Sequence, residues 1–125
     1  MIKTKPNNVY ECIYIHAGKV RTKEGWALII NSMDAASEFA FPPVFNETTK
    51  IEIVVLNHLF DNIFKNYKPN SHPQQINFIT NLPPDYSQLF HQTKAGHHRF
   101  IHDKEATLRA MNCLISNFSI EIVDL

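Results

Sequence analysis

The sequence predicts an α/β domain built around a mixed β-sheet, with its elements in the order β-β-β-α-β-α-β-α. Three strand-like segments come first, and a helical segment with an apolar residue at every fourth position follows them. In the second half of the chain, short strands alternate with helical segments. Strands joined by short turns pair antiparallel, whereas a strand that follows a helix implies a parallel crossover, so both kinds of pairing are expected.

The first three predicted strands form a meander. Val9–His16 is β-branched and aromatic on both faces, which is typical of a central strand, and Glu11 is the anomaly within it. Gly25–Ile30 reads as the second strand, and the two together suggest a hairpin. Glu38–Phe41 predicts a short third strand at an edge, because Pro42 and Pro43 are expected to stop regular pairing.

The remaining elements follow from periodicity and from breakers. A helix is expected to start near Asn46–Thr49, with its core face formed by apolar residues repeating every four positions: Ile51, Val55, Leu59 and Ile63. The later elements are predicted at Ile76–Thr80 (strand), Asp85–Gln92 (short helix), His97–His102 (weak strand), Asp103–Asn117 (helix) and Ile120–Val123 (edge strand).

Size and composition limit the classes of protein. A chain of 125 residues fits one domain spanning residues 1–125, and 44% hydrophobic with 19% charged residues is a globular composition. Twelve basic and twelve acidic residues give a formal net charge of zero, so any nucleic-acid binding must depend on a local patch. Because no apolar run of bilayer-spanning length and no signal-peptide core are visible, we expect a cytoplasmic protein without a membrane partner.

The element order over residues 9–117 resembles the ribonuclease H-like core of retroviral-type integrases and of the DDE transposases of bacterial insertion elements. The segment Glu11–Ile15 is similar to the family's first strand, a D-x-T-Y-I-like segment whose acid binds metal, with Glu11 in the place of that acid. Gly25 and Trp26, leading to Asp34, are similar to a second strand that starts Gly-aromatic and ends in an acid.

The strongest likeness lies in Ile76–Asn81, followed by Tyr86 and Phe90. It is similar to the family's strand that ends in its second acid, and Asn81 replaces that acid. The third acid of the family lies near the start of the last helix, and Asp103, Glu105 or neither corresponds to it. A D-N-A-x-x-E pattern that starts at Asp103 would place Leu108 at its glutamate.

The resemblance implies a set of site residues. The positions of the catalytic acids are Glu11, Asn81 and Glu105, and the implied metal ligands are Glu11, Asp34 and Asp103. Two-metal phosphoryl transfer needs clustered carboxylates, and an amide at position 81 brings no negative charge. We therefore expect a defective active site with no cofactor. The alternative is a shifted acidic cluster that keeps Mg²⁺- or Mn²⁺-dependent nuclease activity, formed by Glu11, Asp34, Asp85 and Glu105.

Basic residues suggest a surface for DNA phosphates. They lie in the first hairpin and around the later histidines: Lys19, Arg21, Lys23, Lys94, Arg99 and Lys104. The alternative for them is a solvated face. His91, His97, His98 and His102 are expected to be solvated or to face phosphate rather than to bind zinc, and Trp26 is expected in the core.

Cys12 and Cys113 are far apart and form no CxxC pair, so buried free thiols are expected.

The leading hypothesis is a stand-alone integrase-core-like protein from a mobile element, defective in strand transfer and retaining nucleic-acid binding. Two other classes stay open. One is an active metal-dependent nuclease or transposase fragment, and the other is a protein-interaction module that forms a homodimer through an open sheet edge.

Overall fold

The computed structural model describes residues 6–125, and no helix in that range is long and apolar enough to cross a membrane. The elements are β1 (Cys12–Thr22), β2 (Gly25–Asp34), β3 (Ala40–Asn46), α1 (Ile53–Phe64), β4 (Asn77–Thr80), a 3-10 turn (Pro84–Tyr86), α2 (Ser87–His91), β5 (Arg99–His102), α3 (Lys104–Ser116) and β6 (Val123–Asp124). The predicted α/β class with a mixed sheet and three helices is confirmed.

The sheet has the strand order β3-β2-β1-β4-β5. β1, β2 and β3 pair antiparallel, whereas β4 is parallel to β1 and β5 is parallel to β4. A tight turn at Thr22–Gly25 requires antiparallel pairing, while the crossover through α1 returns the chain in the parallel sense. β6 pairs antiparallel with Gly18 and Lys19 of β1, beyond the point where β4 ends.

Helices cover both faces of the sheet. Ile13, Ile15 and Ala17 of β1 point to the face that carries α1, and they belong to the main buried cluster. Tyr14 and His16 alternate with them and point to the face that carries α3. We call these the α1 face and the α3 face.

The first and third strands have different bounds from those predicted, and β1 continues to Thr22 rather than ending at His16. β1 starts at Cys12 rather than Val9, because Tyr10 adopts a left-handed backbone with φ of 66° that ends extended pairing. Pro42 and Pro43 were expected to end the third strand, yet β3 runs through them to Asn46. An edge strand tolerates proline where its missing N–H faces outward, and the register shift between Ile30 and Ser32 of β2 absorbs the irregularity.

The helix predicted to start near Asn46–Thr49 begins at Ile53 instead. Asn46 is the last residue of β3, and its side-chain amide donates to Thr48 and to the Lys50 carbonyl, which stabilises a turn. The predicted last helix is confirmed: the Asp103 carboxylate caps it by accepting from the Ala106 N–H at 3.0 Å.

Candidate functional site

The central feature of the candidate site is a side-chain cross-link between β1 and the end of β4. The paired register of these strands ends with Ile15 beside Thr80. At the next position, Asn81 Oδ1 accepts from the Ala17 N–H at 2.8 Å, and Asn81 Nδ2 donates to the Ala17 carbonyl at 2.9 Å. The buried amide therefore continues the hydrogen-bond ladder after the β4 backbone stops.

The residue of β1 beside Asn81 is His16, by extension of the same register. His16 is fully buried, and its Nε2 lies 2.8 Å from Asp124 Oδ1 in β6. Burial lowers the pKa of His16, the Asp124 carboxylate opposes that shift, and Lys104 adds to it. In the neutral imidazole, Nε2 carries the proton and donates a hydrogen bond to Asp124.

Two buried polar atoms beside this pair have no hydrogen-bond partner within residues 6–125. They are His16 Nδ1 and Asn31 Nδ2, and the two residues face each other across β1 and β2 on the α3 face. A neutral His16 with its proton on Nε2 leaves Nδ1 as an acceptor, while the Asn31 amide offers a donor. The two groups are therefore complementary in hydrogen-bonding character.

The C-terminal strand covers the next part of the β1 edge. Gly18 pairs with Asp124, and the Leu125 N–H donates to the Ala17 carbonyl at 3.3 Å. A Cβ atom on Gly18 would lie 2.6 Å from Ile122 Cγ2 and 2.9 Å from the Val123 carbonyl oxygen. The absence of a side chain at Gly18 therefore permits this close approach.

The three positions implied for catalytic acids do not come together. Glu11 lies before β1, where its backbone carbonyl accepts from the Asn77 N–H at the start of β4. Five residues of strand separate Glu11 from His16, which is roughly 16 Å at about 3.3 Å per residue. Glu105 is exposed in the first turn of α3 and pairs with Arg109 at 2.6 Å.

The implied metal ligands are also dispersed. Asp34 ends β2 in pairing with Ile13, near Glu11, while Asp103 lies at the other end of β4, where its N–H donates to the Thr80 carbonyl. Asp85, in the alternative cluster, is exposed in the 3-10 turn. Among residues 6–125, no three His, Cys, Asp or Glu side chains are grouped so that they could hold a metal ion. The residues present thus do not fit a two-Mg²⁺ centre.

The basic residues of the first hairpin gather around the tryptophan. Lys19 Nζ lies 4.8 Å and Arg21 Cζ 5.4 Å from the centroid of the Trp26 ring. Trp26 was expected in the core, but it is 40% exposed, because it lies on the hairpin beyond the strand segments that the helices cover. With Lys23, which is exposed in the turn, these residues form what we call the hairpin patch.

The other basic residues are not continuous with one another. Lys94 forms an ion pair with Asp61 of α1. Arg99 is exposed at the start of β5, where it aligns with Asn77, and Lys104 is exposed in the first turn of α3. The predicted basic residues are therefore divided between the hairpin, the α1 side and the α3 side.

The histidines serve different purposes. His98 is buried, contrary to expectation, and its Nδ1 accepts from the Ile76 N–H at 2.9 Å. Burial lowers the pKa of His98 to about 4, and the adjacent His97 adds to the shift. His102 Nδ1 lies 2.8 Å from the Leu82 carbonyl oxygen, to which it donates, while His91 and His97 are exposed.

The two cysteines match the expected buried thiols in part. Cys12 is buried at the start of β1, whereas Cys113 is exposed on α3.

The sequence signal for His16 and Gly18 was weak, because a lone histidine and a lone glycine in a strand have many roles.

A scan against protein-family models gives no match for this chain, and a search of curated proteins gives none.

Proposed function

We propose that the chain is a non-catalytic domain of the ribonuclease H-like, integrase-core type that binds nucleic acid through the hairpin patch. The succession of three antiparallel strands, a crossover helix and two parallel strands supports the architectural part of the proposal. Helices on both faces of the sheet support it as well. A mobile-element origin belongs to the same proposal, and it rests on the resemblance in sequence.

The loss of catalysis is carried by one observation, the double hydrogen bond between Asn81 and Ala17. In the family that the sequence resembles, metal-binding acids lie on the first strand and at the end of the fourth, and two-metal chemistry needs their carboxylates. Here a buried imidazole, His16, and a buried amide, Asn81, occupy that place, and neither supplies negative charge at neutral pH. Both polar atoms of the amide are already bonded to backbone. A hard cation such as Mg²⁺ prefers carboxylate oxygens as ligands, so this set of groups would bind it weakly.

The hairpin patch supports nucleic-acid binding. Lys19, Arg21 and Lys23 supply positive charge, and the exposed Trp26 ring supplies a surface on which a base can stack. Glu24 and Glu47 line a neighbouring cavity, so the local charge is small, three positive against two negative. We expect weak, salt-sensitive binding of single strands with little dependence on base sequence.

The test is a titration of a fluorescein-labelled 12-nucleotide single strand, followed by anisotropy at 50 and 200 mM NaCl. We expect saturable binding that weakens at least tenfold between the two salt concentrations. The Lys19→Ala/Arg21→Ala variant should bind at least fivefold more weakly than the wild type. Lys65→Ala, an exposed lysine at the end of α1, is the matched control and should bind as the wild type does. Equal affinity of the two variants would contradict the assignment to the hairpin patch.

The non-catalytic part is tested separately with Mn²⁺ and amide NMR. We expect no localised broadening at His16, Asn81 or Asp103, and no cleavage of the oligonucleotide. Broadening that converges on these residues, together with metal-dependent cleavage, would favour the active nuclease instead. A homodimer through an open sheet edge stays a prediction. At the β3 edge, Pro42 and Pro43 have no N–H to donate to a partner strand.

A further inference from the structure

A second feature lies at the opposite end of β1 from the hairpin, where β1 begins and β2 ends. It is a cavity of about 350 Å³, within the lower part of the range for ligand pockets. Its wall carries the rings of Tyr10, Phe39, Phe41 and His72, and Asp34 also lines it. We call this cavity the aromatic pocket. It takes no part in the function proposed above.

The rings form a connected wall. The Tyr10 ring centroid lies 4.6 Å from that of His72 and 6.0 Å from that of Phe41, and Phe41 contacts Phe39 edge-on at 5.3 Å. Tyr10 and Phe41 are buried, whereas Phe39 is 56% exposed. A phenylalanine held this far out in water gains little from hydrophobic burial, so its place beside the cavity suggests a contact surface.

Unfavourable backbone conformations occur at two positions beside the pocket. Tyr10 and Glu38, with φ of 66° and 61°, are the non-glycine residues with positive φ in the part of the chain that the structure describes. Each such residue costs on the order of 1 kcal/mol. Asp34 holds both turns: its Oδ1 accepts from the Tyr10 N–H and its backbone carbonyl accepts from the Glu38 N–H, each at 2.8 Å. Asp34 therefore stabilises the two strained residues, Tyr10 and Glu38, and Glu38 directly precedes Phe39.

Asp34 brings a buried negative charge to the pocket. The residue is 0% exposed, and its Oδ2 accepts from both the N–H and the hydroxyl of Ser37 at 2.8 Å. No ion pair joins Asp34 to a basic side chain within residues 6–125. The carboxylate also affects the titration of Tyr10. Burial raises the pKa of Tyr10, and the Asp34 carboxylate raises it further. A buried carboxylate held by N–H and O–H donors alone favours a cation nearby.

We propose that the aromatic pocket binds a methylated ammonium group, with the rings of Tyr10, Phe39 and Phe41 contacting its methyl groups and Asp34 balancing its charge. Cation–π attraction to several rings is the physical basis for recognising quaternary ammonium. A primary ammonium must place three N–H donors, but the Asp34 oxygens already accept three hydrogen bonds. A quaternary group has no N–H to satisfy, so the pocket favours it over an unmodified amine.

Such a group occurs on a trimethylated lysine side chain and on a free small molecule such as choline. The first experiment is an amide NMR titration of the whole chain with choline and with 3,3-dimethylbutan-1-ol, which has the same shape without the charge. We expect shifts at Tyr10, Asp34 and Phe39 on adding choline, and at least tenfold weaker binding of the neutral alcohol. Equal affinity would show simple apolar packing and would overturn the proposal, as would no choline-induced shift up to 20 mM.

The second experiment uses a matched pair of variants at exposed phenylalanines. Phe39→Leu keeps apolar bulk but removes the π face, and we expect it to weaken choline binding at least fivefold. Phe45→Leu, at a ring 59% exposed on β3 and outside the pocket lining, should leave choline binding unchanged. Both side chains are more than half exposed, so both variants should fold. Equal choline affinities of Phe39→Leu and the wild type would overturn the proposal.

A peptide carrying trimethyllysine and the same peptide with unmodified lysine distinguish the sources. Tighter binding of the trimethylated peptide than of choline would assign the pocket to a modified protein. Tighter binding of choline would assign it to a free small molecule. Equal binding of the modified and unmodified peptides would contradict recognition of the methyl groups.

Discussion

His16 in the central strand and Asp124 in the last strand are joined by a 2.8 Å contact across 108 residues of sequence. The His16 side chain is fully buried, while that of Asp124 is 36% exposed. The contact fastens the C-terminal strand to the part of β1 that β4 leaves uncovered. The backbone N–H and carbonyl groups along this edge of β1 are therefore hydrogen-bonded in turn by the β4 backbone, the Asn81 amide and the β6 backbone.

The first prediction concerns the space that lets β6 approach β1. Gly18→Ala places a methyl group against Ile122 and the Val123 carbonyl, so we expect β6 to detach and the free energy of unfolding to fall by about 1–3 kcal/mol. Urea denaturation measures the loss, and hydrogen exchange of the Leu125 amide reports the detachment, because that amide donates to Ala17.

Gly25→Ala is the control for this experiment. Gly25 has φ of +123°, and a Cβ atom added to it would meet no atom within 4 Å, so only backbone strain is expected there. The Leu125 amide should keep its wild-type exchange rate in this variant. Unchanged Leu125 protection in Gly18→Ala would show that β6 tolerates the methyl group and that the prediction is wrong.

The second prediction tests the structural role of Asn81. Asn81→Asp replaces the donor to the Ala17 carbonyl with an acceptor and buries a charge, so the protein should lose about 2–4 kcal/mol of stability at pH 7. A protonated carboxyl group can donate again, so the loss relative to the wild type should shrink towards pH 4. Urea denaturation at the two pH values measures both effects.

Asn112→Asp, at an exposed position of α3, controls for the added charge and should change stability by less than about 0.5 kcal/mol. Mg²⁺ at 10 mM should not restore the stability of Asn81→Asp, because residues 6–125 contain no group of three His, Cys, Asp or Glu side chains that could hold a metal ion. Restoration by Mg²⁺ would reveal a metal centre that the amide conceals, and would support the nuclease alternative.

Much of the fold could be predicted because local patterns act within one element. The four-residue apolar repeat predicted the core face of α1, and the apolar pattern after Asp103 predicted α3. Pro42 and Pro43 misled because an edge strand with a register shift can continue through two prolines. Whether a proline lacks a partner is a property of the assembled sheet.

The candidate site was harder to predict because its residues meet through register. Glu11 shares the strand pattern of a metal-binding acid, but the pairing of Cys12 with Asn77 places His16 rather than Glu11 beside Asn81. β1 is buried on both faces over most of its length, so its nearly continuous apolar pattern does not reveal the register, and the register decides which side chains converge. Trp26 was misjudged for a similar reason, since an aromatic residue in a strand is buried only where a helix covers it.

The third prediction follows from the buried His98. Its pKa of about 4 in the folded protein is below the ordinary value of 6.5, so folding favours the neutral ring. The stability contribution is therefore complete above pH 6.5 and is lost as the pH falls from 6.5 to 4, by up to about 3 kcal/mol. His16, whose pKa is also lowered mainly by burial, acts in the same direction.

His98→Asn isolates the contribution of His98, because asparagine does not titrate and still offers an acceptor to the Ile76 N–H. The difference in unfolding free energy between pH 7 and pH 5 should be smaller in His98→Asn than in the wild type. His97→Asn, at an exposed neighbour, should keep nearly the wild-type difference. Equal pH dependence of His98→Asn and the wild type would show that His98 is not the titrating group.

The last prediction separates the hairpin patch from the other basic residues. Lys94 pairs with Asp61 of α1, and both side chains are about half exposed, so the pair should contribute less than about 1 kcal/mol to stability. Because Asp61 offsets its charge, Lys94→Ala should lower single-strand affinity by less than roughly twofold, and Asp61→Asn should raise it by a similar factor. Anisotropy titrations at 100 mM NaCl measure both. A loss in Lys94→Ala as large as that in Lys19→Ala/Arg21→Ala would mean that the nucleic acid extends over the α1 face, and the binding surface would have to be redrawn to include it.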